Sequence, residues 1–102
     1  MSQHYVFVKN GDIRDFDDIY EGMVPEPILS ANDLKTLLSS EFELTQWDVL
    51  ENRMLVGRNP AKHIEVTIDA VGDKAARMVT VNGIDQKAAD ALAAKLDLSE
   101  LE

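Results

Sequence analysis

The sequence predicts an α+β domain: an antiparallel β-sheet, a meander of about four strands plus a short N-terminal hairpin, with two helices packed on one face. Three observations carry this reading. Residues 63–69 alternate strictly, with Ile64, Val66 and Ile68 on one side and His63, Glu65, Thr67 and Asp69 on the other, the period of a half-buried strand. Two other segments, residues 31–41 and 86–96, repeat apolar side chains at helical spacing. The connections between the candidate strands are too short for crossovers, so neighbouring strands run antiparallel.

In chain order, Tyr5 to Lys9 is rich in β-branched and aromatic residues and meets Asn10-Gly11, a dipeptide that tolerates the positive φ angles of a tight hairpin turn. The expected partner strand is Asp12 to Phe16. Residues 17–29 then read as a loop, because acids crowd together and Pro25 and Pro27 remove ladder donors. Ser30-Ala31-Asn32-Asp33 resembles a capping box with Asp in place of Glu, and Leu34, Leu37, Leu38 and Phe42 follow on one helical face. Trp47 and Val49 on one side and Met54-Leu55-Val56 on the other flank Glu51-Asn52-Arg53, a break short enough for a hairpin loop. Asn59-Pro60 signals a turn before the alternating strand, Gly72-Asp73-Lys74 another after it, and Arg77 to Val81 returns as its partner. Asn82-Gly83 is expected to stop that strand, and Asp85 to cap the second helix, where Ala88, Ala91, Leu92 and Leu96 share a face. Leu34, Leu38, Ile64, Val66, Ile68, Val79, Val81 and Leu92 are expected in one core, with Trp47 a core residue in preference to an interface rim.

A chain of 102 residues suits a single domain, 1–102, since two cores would each be too small to hold. With no cysteine, disulfides, thiolate nucleophiles and Cys-based metal sites are excluded. No stretch of 18 apolar residues occurs, and Met1 to Lys9 lacks the basic start and apolar run of a signal peptide. The expectation is a cytoplasmic protein with no membrane partner.

Charge is the most informative feature. The net charge is −9, and residues 1–51 carry nearly all of it, with 11 acids against 3 bases. Asp12, Asp15, Asp17, Asp18, Glu21 and Glu26 are opposed locally only by Arg14, whereas Arg53, Arg58 and Lys62 form a later stretch with no acid between them. Phosphate backbones are repelled by such a charge, so direct nucleic-acid binding is not expected, and a protein with a basic surface is the better partner. The basic stretch itself lacks interleaved aromatics for base stacking and reads as a solvated hairpin face.

Asp15, Asp17 and Glu26 fall at positions 1, 3 and 12 of an EF-hand register, but Ile19 and Tyr20 stand where a ligand and the turn glycine belong. A looser divalent site from Asp15, Asp17 and Asp18 is a weaker form of the same idea. His4 and His63 have no second histidine at ligand spacing, and an exposed His63 is favoured over a ligand or base. Ser30, Ser39 and Ser40 lack a nucleophile elbow, and the glycines stand alone, so no phosphate loop can be written. The expectation is therefore no enzyme, no catalytic residues, no metal and no cofactor. The leading expectation is a non-enzymatic interaction or regulatory module that uses Asp12, Asp15, Asp17, Asp18, Tyr20, Glu21 and Glu26 to bind a basic protein partner, with Ile19 and Met23 as further exposed anchors. The alternative is a nucleic-acid mimic that inhibits a DNA- or RNA-binding protein, and a small carboxylate-dependent enzyme or metal-binding protein is less favoured.

Overall fold

The computed structural model describes residues 3–9, 13 and 15–101. In chain order they form β1 (Gln3–Val8), α1 (Phe16–Tyr20), β2 (Leu29–Ser30), α2 (Ala31–Phe42), β3 (Gln46–Leu50), β4 (Met54–Asn59), β5 (Ile64–Ile68), β6 (Ala75–Ala76), β7 (Met78–Ile84), α3 (Gln86–Leu96) and β8 (Ser99–Glu100). Six strands make one sheet in the order β3-β4-β5-β7-β1-β8, every strand pairing among the described residues antiparallel, and β2 pairs with β6 in a small second sheet. The fold is α+β, and β3, β4, β5 and β7 are the expected meander.

The alternating strand is β5, and its burial follows its pattern. Val66 and Ile68 are fully buried and Ile64 partly, while Glu65 and Thr67 face the other side. Cross-strand neighbours share a face, so Val66 lies between Gly57 of β4 and Val81 of β7, and Ile68 between Leu55 and Val79. On that face Leu34, Leu38 and Phe42 of α2 and Ala89 and Leu92 of α3 join the strands in a single apolar cluster. Both long helices therefore cover the same side of the sheet. Each starts where its cap dictates: Asp33 N donates to Ser30 Oγ at 3.2 Å, and Ala88 N to Asp85 Oδ1 at 2.8 Å. Each ends on a residue in the left-handed conformation, Glu43 and Asp97.

Four expectations are corrected. Asp12 to Phe16 does not pair with the first strand: β7 takes one side of β1 and β8 the other, and Phe16 opens α1. The cause is burial on both faces, since Tyr5, Val6, Phe7 and Val8 are all buried, which suits a strand inside the sheet and not one in an exposed hairpin. Asn10, Gly11 and Asp12 lie outside the described residues. Residues 17–29 are not purely loop, because α1 reaches to Tyr20 and Leu29 begins β2. His63 is not a strand residue; it closes the turn after Asn59-Pro60 with φ 56°. Asn82-Gly83 does not stop β7, which runs on to Ile84. Gly83 is passed over in the register with β1, where Gln3 pairs with Ile84 and His4 with Asn82, so the dipeptide makes a bulge in place of a turn.

Trp47 sits on the outermost strand and is partly buried against the core cluster. Its indole packs over Gly57, donates from Nε1 to Ser39 Oγ at 2.9 Å and lies 5.8 Å from Lys35 Nζ.

Candidate functional site

The acidic segment leaves β1 of the large sheet and ends at β2 of the small one, and backbone bonds hold both ends. Glu26 N donates to Lys9 O at 3.1 Å, and Ile28 N donates to Ala76 O at 2.8 Å. Just before Glu26 in the chain, Pro25 O accepts from Arg77 Nη1 at 2.6 Å. Ile13, 1% exposed, buries the start of the segment outside the main cluster. An apolar residue inside an acidic run thus ties the run down, which the composition alone does not reveal.

Within the segment α1 orders the side chains. Glu21 N donates to Asp17 O at 2.9 Å, continuing the helical turn by one residue. Asp17, Tyr20 and Glu21 are therefore related by helical spacings of three and four and share one face. All three are exposed, Tyr20 at 83%. Val24 adds a second exposed apolar side chain at 65%, and Glu26 is exposed just beyond it. Asp15 is partly buried and has an interaction of its own, and Ile19 and Met23 are partly buried rather than exposed. Asp12 and the side chain of Asp18 lie outside what is described. Of the acids singled out in the sequence, the fold brings Asp17 and Glu21 together around Tyr20.

The basic stretch is paired with acids of the β3–β5 region and the end of α2. Arg53 pairs with Glu51 at 2.9 Å, Arg58 with Asp48 at 2.7 Å and Glu65 at 3.2 Å, and Lys62 with Glu43 at 3.0 Å. These pairs explain the bases without an external phosphate. None of these pairs involves an acid of residues 12–26.

Other chemistry is sparse. His4 Nδ1 is hydrogen-bonded to Asn82 Oδ1 across the β1–β7 pair, and His63 is exposed in its turn. Asn52, Arg53, Asp69 and Lys74 line a shallow cavity of about 250 Å³ floored by Ala70 and Ala75. Its carboxylate is committed to the backbone, because Asp69 Oδ1 accepts from Arg77 N at 2.9 Å and Met78 N at 3.2 Å. Among the described residues Tyr5 has its acidity shifted: burial foremost, then the carboxylates of Glu100, Asp85 and Asp90, raise its pKa above the ordinary phenol value. Its hydroxyl donates to Gln86 Oε1 at 3.4 Å, a contact that ties α3 to β1. Among the described residues no three His, Asp or Glu side chains are grouped to hold a metal ion.

No known family model matches this chain, and neither a curated protein nor a solved structure shows significant similarity to it. Among the described residues no helix is long and apolar enough to cross a membrane.

Proposed function

We propose that the chain is a non-enzymatic protein-interaction or regulatory module whose acidic segment, residues 12–26, docks on a basic surface of a protein partner. The observation that carries this reading is the exposed helical face shared by Asp17, Tyr20 and Glu21. A large aromatic anchor ringed by charges is the composition of a binding hot spot, and the tied backbone lowers the entropy lost on docking. The acids steer a basic partner towards the aromatic ring, and the ring supplies the contact that slows its departure. Supporting the choice over a nucleic-acid mimic, Glu41, Glu43, Asp48, Glu51 and Glu65 are engaged by the chain's own bases, so they do not form a continuous array of free carboxylates. The cysteine-free sequence supports a cytoplasmic setting.

The test begins with capture of partners by the full chain from its native host at low and high salt, followed by binding kinetics with the captured protein. The double change Asp17→Asn and Glu21→Gln is expected to slow association and flatten its salt dependence, while Tyr20→Ala speeds dissociation by about tenfold or more. Unchanged kinetics in both variants would overturn the reading. Capture of a nucleic-acid-binding protein, released by competing DNA or RNA, would favour the mimic instead.

A further inference from the structure

The two edges of the six-stranded sheet are built differently. β8 spans two residues, Ser99 and Glu100, and offers almost no free backbone. β3 spans five, and it pairs with β4 in unbroken register from Gln46–Arg58 to Leu50–Met54. Its other side therefore presents a row of backbone donors and acceptors to solvent. The usual protections of such an edge are missing: Gln46-Trp47-Asp48-Val49-Leu50 contains no lysine and no proline, and the register shows no bulge. Two of the four strongly exposed large apolar side chains among the described residues are neighbours here, Val49 at 55% and Leu50 at 44%.

We propose that β3 is a self-association edge, at which two copies of this chain pair antiparallel and join their sheets into one. A second copy is the occupant because this edge is locally neutral. Asp48, the one charge on β3, shares Arg58 with Glu65, Glu51 beside it is held by Arg53, and Lys35 lies 5.8 Å from the Trp47 ring, so three acids meet three bases. A chain of net charge −9 meets its own copy most easily where its surface carries no excess charge. The acidic segment is bonded to the strand β1, four strands away from β3, which at the usual strand spacing is about 19 Å and beyond the screening length at physiological salt. Pairing centred on Val49 sets that residue opposite Val49 of the partner subunit and Leu50 opposite Asp48 of the partner subunit. The two aspartates then never face each other, and a β-branched pair occupies the centre. A strand pair this short buries little area, so the dimer is weak, with a dissociation constant on the order of 10–1,000 μM.

Sedimentation equilibrium on the full chain, from about 10 μM to about 1 mM and at low and high NaCl, reads the mass directly. The expected result is a monomer–dimer equilibrium that tightens with salt as the net repulsion is screened. Val49→Lys and, separately, Leu50→Lys place a cation on the edge at exposed positions and are each expected to weaken the dimer at least tenfold while leaving the circular dichroism unchanged. Amide exchange on β3, slowed at high protein concentration relative to low, would locate the contact. A monomer at every concentration overturns the proposal, and so does a dimer that both lysine variants leave intact.

Discussion

A Cβ built on Gly83 would stand 2.1 Å from the carbonyl oxygen of His63 and 3.2 Å from Ile64 Cα, in a residue whose φ is 92°. Backbone is on the receiving side of that contact, so no rotamer change relieves it. Gly83→Ala is expected to cost at least about 2 kcal/mol in urea denaturation, from the clash and the left-handed backbone together. A cost under about 0.5 kcal/mol would show that the bulge relaxes freely. The same close approach ties the bulge to the turn after β4, where Asn59, buried at 5%, donates from Nδ2 to Phe42 O at 3.1 Å and accepts from Lys62 N at 3.2 Å. One asparagine thereby satisfies the last residue of α2 and the turn that leads into β5. Tyr5 contributes a pH-dependent term. Its folded pKa is raised above the unfolded value of about 10, so the folded state holds the phenol proton more tightly. The associated stability is fully present below the unfolded pKa and is lost as pH rises through the folded one. Thermal unfolding from neutral to alkaline pH is expected to show a decline above about pH 10 that Tyr5→Phe reduces.

At the scale of the element, the caps are the cheapest place to test why the helices begin where they do. Ser30→Ala and Asp85→Ala are each expected to lower stability by about 1 kcal/mol, because each leaves a first-turn amide without its side-chain acceptor. A neutral result in either would assign that helix start to packing alone. These caps are also why both long helices were legible in the sequence. Cap, periodicity and end signal lie within about a dozen residues of one another, and the second helix was placed at residues 86–96, where it is found. The meander was legible for the same reason, since each hairpin joins neighbours in sequence. What could not be read was pairing between distant segments. β1 enters the sheet between β7 and β8, more than seventy residues on, and no local signal in Tyr5 to Lys9 separates that arrangement from a hairpin with Asp12 to Phe16. Asn82-Gly83 has the chemistry of a turn and of a bulge alike, and only the approach of His63 decides between them. In the candidate site the acids are visible as composition, whereas the face shared by Asp17, Tyr20 and Glu21 depends on a helix of five residues, too short to show a period. Burial of Ile13, which anchors the segment, likewise comes from tertiary packing.

The whole molecule confines a net charge of −9 within a radius of gyration of 12.8 Å, where an unfolded chain of this length spreads it over about 30 Å. Self-repulsion therefore disfavours the folded state, while the internal ion pairs favour it. The balance is decided by exposure. The five ion pairs among the described residues all have partly exposed side chains, from 26% to 77%, and pairs of that kind contribute about 0–1 kcal/mol each. Salt weakens both effects, but repulsion among the surplus carboxylates acts over longer distances and is screened more completely as the screening length falls from about 30 Å at 0.01 M to about 8 Å at 0.15 M. The melting temperature is thus expected to rise by a few degrees over that range, the equivalent of about 0.5–1 kcal/mol for a domain of this size. Asp17→Asn with Glu21→Gln removes two charges from the crowded segment, so it is expected to raise the melting temperature at low salt and shrink the salt effect. A melting temperature that falls with salt would mean that the ion pairs dominate. Docking through the acidic segment carries the opposite sign, since added salt screens the attraction to a basic partner. The same two substitutions should therefore stabilise the fold and weaken the complex, both most strongly at low ionic strength.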